Sequence, residues 1–132
     1  LLGHGDERFA GIAGTPRPAL LPEYLVLVGI RDLDPPERKA IREWGVHCFT
    51  MRDIDELGLR EVMRRAIEIT TAHSKRLWVS CDMDWIDPHD APGVGTPVRG
   101  GATYREAHLA MEMIADTGML VGLDIVETNP IL

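Results

Sequence analysis

Apolar residues fall along this chain in two kinds of block. Tyr24–Ile30, Val46–Thr50, Arg76–Cys81 and Met119–Val126 are short, largely continuous apolar runs rich in β-formers. That is the pattern of strands buried on both faces. Between them the period changes to that of a helix. Pro35 or Pro36 opens a helix running to about Trp44, with Gly45 as its stop. Leu59, Val62, Met63, Ala66, Ile67 and Thr70 share one helical face within 59–72, and Asp53 or Asp55 is placed to cap it. Thr103 to Glu106 has capping-box spacing and starts a helix to about Asp116, ended by Gly118. Residues 1–21 hold Gly and Pro with few periodic apolars and read as loop, as does the Gly/Pro-rich stretch from Met83 to Ala102.

Strands thus alternate with helices from residue 22 to 132. This order predicts an α/β fold, a parallel sheet with helices on both faces, in a single domain. Such sheets bind ligands outside the carboxyl ends of their strands. Three acidic clusters, "RDLDPPE", "CDMDWID" and "VETNP", each follow a predicted strand.

Composition narrows the partners. The chain has 132 residues and a net charge of −7, which argues against nucleic acid or an anionic membrane. No apolar run is long enough to span a bilayer, and no leader pattern opens the chain. Cys48 and Cys81 sit among apolar residues and read as reduced core side chains of a cytosolic protein. The chain opens on "LLGHGDERF" and closes on "NPIL" directly after a strand-like run, the look of a fragment.

Asp82 and Asp84 stand two apart at a strand end. On an extended strand they point to the same face, roughly 6.5 Å apart at Cα. So placed, they can converge on a hard divalent cation such as Mg²⁺ or Mn²⁺. The bland alternative is one acid capping an amide and the other solvated. Asp87, before Pro88, makes a turn. Thr96 offers its hydroxyl either to a ligand or to the loop. Glu127, ending the last strand, either meets a cationic substrate group or pairs with Arg99 or Arg105. Asp124 lies within the apolar run and, if buried, needs a partner; orienting a ligand is one role for it. Asp34 and Glu37 either recognise an amine or favour a helix N-terminus; alone, the second reading is the stronger. His89 reads as solvated, Asp90 as a bystander, and His4, His73 and His108 as structural or exposed.

The stretch "SCDMDWIDPHDAPGVGTPVRGGATYREAHLAMEMI" resembles the C-terminal signature of the ureohydrolase family of arginases and agmatinases. The family pattern is S-x-D-x-D-x-x-D-P, then P-G-x-G-T-P and G-G-x-[ST]-x-R-E. "GLDIVETNP" resembles the family's later substrate-binding strand, and "LVGIRDLDPPERKAI" looks specifically like a bacterial arginase. The resemblance implies a three-layer α/β/α fold, of which residues 1–132 are the C-terminal portion of one domain. It implies that Asp82 bridges two Mn²⁺ ions and that Asp84 is a further ligand. Glu127 would hold the substrate guanidinium, with Thr96 a neighbouring contact. Asp34 and Glu37 would read the α-amino group of L-arginine, a group agmatine lacks. The implied reaction is hydrolysis of L-arginine to L-ornithine and urea through a manganese-bridged hydroxide, in arginine metabolism and the urea cycle. A cytoplasmic homo-oligomer, trimer or hexamer, goes with it.

Departures set limits. Family members are about twice this length. Their G-G-D-H and D-A-H-x-D segments do not occur here, so two of six implied metal ligands are present and no catalytic residue is assigned within the chain. The chain alone should be inactive and weak in binding Mn²⁺. Trp85, where many relatives have a small residue, is placed to narrow the site mouth. Agmatinase or another guanidino-substrate ureohydrolase is the alternative within the family. A non-catalytic α/β binding or assembly module is the alternative outside it.

Overall fold

The computed structural model describes residues 20–131. The loop predicted over 1–21 therefore lies almost wholly outside the described residues, as does His4. Four parallel strands alternate with helices: β1 (Val26–Ile30), α1 (Pro35–Trp44), β2 (His47–Thr50), α2 (Met51–Leu57), α3 (Leu59–Thr70), β3 (Leu77–Asp82), α4 (Tyr104–Asp116) and β4 (Leu120–Val126). The α/β class expected from the alternation is what forms.

Local chemistry accounts for most boundaries. Asp34 is the N-cap of α1, and the two prolines after it occupy the first helical positions, where a missing N–H costs nothing. Gly45 ends the helix in the left-handed region, φ 71°, with its N–H on the Ile41 carbonyl. Thr103 caps α4 as its spacing predicts, with the hydroxyl accepting the Glu106 amide. Two boundaries differ from expectation. Tyr24 belongs to a 3-10 turn, Pro22–Tyr24, rather than to β1. The helix expected over 59–72 is preceded by a separate α2, capped by Thr50 and not by Asp53 or Asp55. Asp53 sits three residues into the box and accepts the Thr50 amide at 2.6 Å. Gly58, φ 79°, then breaks the chain between α2 and α3.

The strands form two parallel pairs, β1–β2 and β3–β4, where the sequence suggested one sheet. One helical layer serves both. Ile54 of α2, Leu59, Val62 and Met63 of α3, and Ala110 and Ile114 of α4 form the core with Leu77 of β3. Val28 and Phe49, direct partners across β1–β2, pack on it from the first pair and Val79 from the second. Trp85 also packs on this core, its ring edge close to Gly29, where an added Cβ would lie 3.0 Å away. It is half-buried there.

The other face of β3–β4 is open. The Trp78 ring lies over Gly122 of β4 and is 65% exposed. Leu120, Val121, Leu123, Ile125 and Val126 are exposed too, so β4 is not the doubly buried strand its apolar run suggested. Asp124 is likewise not buried. It accepts the Trp78 indole N–H at 2.8 Å and the Ser80 hydroxyl at 2.5 Å, so its partners lie on its own strand pair. Ser80 and Trp78, in that order, hold its pKa below the ordinary carboxylate range. Both cysteines are free, Cys81 buried and Cys48 half-buried, and burial raises both thiols. Among the described residues no helix is long and apolar enough to cross a membrane.

Val62 is completely buried at the centre of the α3 face. Val62→Ala is expected to cost about 2–3 kcal/mol, from lost transfer energy and the cavity left behind. Urea unfolding with an unchanged m-value checks this; a loss under about 1 kcal/mol would show that the site collapses to fill the gap.

Candidate metal and substrate site

All three acidic clusters lie at the carboxyl ends of the strands. Asp82 is the last residue of β3, and a 3-10 turn, Met83–Trp85, follows at once. The strand pleat therefore does not continue to Asp84, and the two carboxylates are not aligned as an extended i, i+2 pair. Instead Asp82 Oδ1 accepts the Asp84 amide at 2.8 Å, which fixes the turn. The Asp84 side chain swings toward the long loop, where Thr96 donates its hydroxyl to Oδ2 at 2.6 Å. Asp84 Oδ1 is buried and has no hydrogen-bond partner among the described residues. A buried acceptor in that state is costly.

The loop that carries Thr96 is pinned at several points. Asp87 makes the predicted turn: Oδ1 accepts the His89 amide at 2.9 Å and Oδ2 accepts the Gly100 amide at 2.8 Å. These backbone bonds, His89 first, pull its pKa below the usual carboxylate value. Asp90 is not a bystander, since its carboxylate accepts the Tyr104 amide at 2.8 Å at the start of α4. His89 is solvent-exposed, as expected. Ile86 and Ala102 bridge the two ends of the loop. Gly101 has to be glycine there, because a Cβ would stand 2.6 Å from the backbone of Trp85, Ile86 and Asp87.

Glu127 follows β4 with φ 59°, the one positive-φ residue other than glycine among those described. Such a conformation costs energy for a non-glycine residue and often marks a functional site. Val94 bridges Thr128, and the Asn129 amide donates to the Gly93 carbonyl at 2.8 Å. These bonds bring Glu127 against the loop, with Oε2 3.8 Å from where a Cβ on Gly95 would stand. Among the described residues Glu127 makes no ion pair with Arg99 or Arg105. Residues 93–96 thus touch Glu127 at one end and Asp84 at the other.

Asp34 and Glu37 sit at the N-terminus of α1, on the same side of the molecule. Glu37 accepts the Asp34 amide at 3.1 Å, so the helix-capping role is real. Both side chains are exposed, and none of their hydrogen bonds reaches Asp84 or Glu127. Spacing alone gave no role to Arg31, although a cation ending an apolar strand among acids was a visible signal. Its side chain bonds across to the backbone on both sides of the Thr96 loop.

The Arginase family model matches residues 12–132. The chain belongs to the arginase family. It is 47% identical over 131 residues to the arginase of Brevibacillus brevis, covering 99% of this chain and 44% of that protein. The native Bacillus caldovelox arginase structure at pH 5.6 superposes with a TM-score of 0.93 at 46% identity, over 99% of this chain and 44% of that one. The Bacillus subtilis arginase crystal structure gives 0.91 at 45%, with the same coverage. The chain thus spans under half the length of these arginase-family relatives.

Carboxylate oxygens are the right donors for a hard divalent ion. Asp84 Oδ1, buried and unpartnered, is where such an ion would relieve a cost. Among the described residues, however, no group of three or more His, Cys, Asp or Glu converges as a metal site. Asp82 and Asp84 therefore fit part of a ligand set.

The loop bonds to Asp87 set a pH dependence. Its pKa in the folded state is shifted below the unfolded value, near 3.9. Its contribution is then fully present above that pH and is lost as pH falls through the folded value. Melting midpoints from about pH 5 to 2 should fall more steeply for the native chain than for Asp87→Asn; parallel curves would refute the role. Gly101→Ala should destabilise by about 1–3 kcal/mol through the backbone clash, read in the same melts.

Proposed function

We propose that this chain is the portion of a manganese-dependent arginase that carries two metal acids and the substrate-reading acids. The observation that carries the reading is the Asp82–Asp84–Thr96 cluster with its unpartnered Asp84 oxygen, in a chain of the arginase family. Asp82 and Asp84 would hold manganese. Two such ions, when bound, supply the Lewis acidity that makes hydroxide available near neutral pH.

The residues of this chain do the rest by position. Glu127, held against the loop at Gly95, presents a carboxylate to the planar cationic guanidinium and orients its carbon toward the metal acids. Thr96 fixes the Asp84 carboxylate and stands beside that guanidinium. The exposed carboxylates of Asp34 and Glu37 meet the α-ammonium of L-arginine from the end of β1. The products are L-ornithine and urea. Two metal acids make an incomplete set, so the chain alone is inactive and binds Mn²⁺ weakly. In the whole protein the reading carries a cytoplasmic homo-oligomer, trimer or hexamer.

The test is a chimera: Brevibacillus brevis arginase with these residues in place of the segment they match. It should release urea from L-arginine, lose that activity on chelation and regain it with Mn²⁺. Asp34→Ala in the chimera should lower kcat/KM for arginine about ten- to a hundred-fold, the worth of one charged hydrogen bond. Agmatine turnover should stay as it was. A folded chimera that is silent on arginine, or that prefers agmatine, defeats the reading.

A further inference from the structure

Arg31 is the residue with the most long-range bonds at this edge, and among the described residues all of them go to backbone carbonyls and none to a carboxylate. Nη2 donates to the Asp84 carbonyl at 2.8 Å and also to Val98. Nε donates to the Val98 carbonyl at 3.1 Å and the Arg99 carbonyl at 3.3 Å, and Nη1 to the Trp85 carbonyl at 3.3 Å. One side chain at the end of β1 therefore joins two segments, 53–68 residues away in sequence. One is the turn bearing Asp84. The other lies directly after Thr96 and Pro97.

The chemistry favours arginine specifically. Its planar fork has five donors and no acceptor, so it can satisfy carbonyls in two directions at once. A lysine ammonium is a compact point charge with three donors, and it cannot span the same set. The consequence is geometric. The Thr96–Asp84 bond has both its ends tied to Arg31, through the Asp84 carbonyl and through Val98 across a stiff proline. Three residues beyond Arg31 stands Asp34. Arg31 thus lies between the exposed acids of α1 and the acids that end β3, bonded to the backbone of the second group and continuous in chain with the first.

We propose that Arg31 is a positioning residue that fixes the distance between the two ends of the substrate site, and so gauges the length of the guanidino amino acid accepted. The proposal rests on the arginase reading for its substrate, but its structural half does not.

Hydrogen exchange on the chain itself tests that half. Arg31→Met should speed exchange of the Asp87, Gly100, Gly101 and Ala102 amides about ten-fold or more, with Val62 and Ala66 in α3 unchanged within about two-fold. Arg31→Lys should fall between. An equal change in the loop and in α3, or none, would show general stabilisation only and overturn the proposal. In the chimera, Arg31→Lys should reduce the preference in kcat/KM for arginine over homoarginine, one methylene longer, by about ten-fold. Loss of rate with that ratio unchanged overturns the gauge. A chimera inactive with Arg31 intact counts against the arginase reading, and the exchange result still decides whether Arg31 ties the two loops.

Discussion

The Asp84 carboxylate has one oxygen held by a hydroxyl and one buried with no partner. The carboxyl edge of the strands is arranged around that imbalance. Asp82 holds the Asp84 amide, Thr96 its carboxylate and Arg31 its carbonyl. Three bonds from three segments leave the residue little freedom, and they leave one acceptor open. An apolar protein interior would exclude such a group or neutralise it. A bound cation would satisfy that acceptor, so this atom, more than the D-x-D pattern, supports the proposed metal role.

Much of the fold was legible because its signals are local. Asp34 with two prolines, Thr103 with Glu106, and Gly45 each act within one turn of backbone, and each helix end fell where they place it. Errors came where a distant contact decides. Thr50 was hidden as the α2 cap because it also ends a strand. Asp124 looked buried because its neighbours are apolar; whether a face is covered depends on what packs there, and on this face Trp78 lies open. Asp90 looked idle because its partner, the Tyr104 amide, is fourteen residues away. The division into two strand pairs has no sequence mark at all, since strand order is a property of the assembled layer.

The site residues divide in the same way. Asp82 and Asp84 are legible as acids at a strand end, but their mutual geometry is not, because a 3-10 turn and not the pleat relates them. Glu127 was ambiguous between substrate and a salt bridge. Among the described residues it makes no salt bridge to Arg99 or Arg105, and it stands in the left-handed region beside Gly95. Thr96 is open from the sequence between ligand and loop, and the structure gives its hydroxyl a bond to the Asp84 carboxylate. Arg31 escaped because its partners are carbonyls, which have no sequence signature.

The two halves of this molecule are held by different forces. Behind the strands, α2, α3 and α4 bury aliphatic side chains around Val62, and apolar burial there is insensitive to small shifts of any one bond. At the carboxyl edge polar bonds predominate. The loop from Met83 to Ala102 buries Val94 and Ala102 and packs Trp85 on the core, and Asp87, Asp90, Thr96 and Arg31 hold the rest of it through polar bonds. Such bonds are individually worth about 0.5–1.5 kcal/mol, somewhat more where charged. The edge therefore opens at lower free energy than the core, and local opening there does not require unfolding of α3. That separation lets one chain combine a stable scaffold with a site whose spacing depends on a few directional contacts, and it makes Arg31, with bonds into both segments, the point where losing one side chain would be felt most widely.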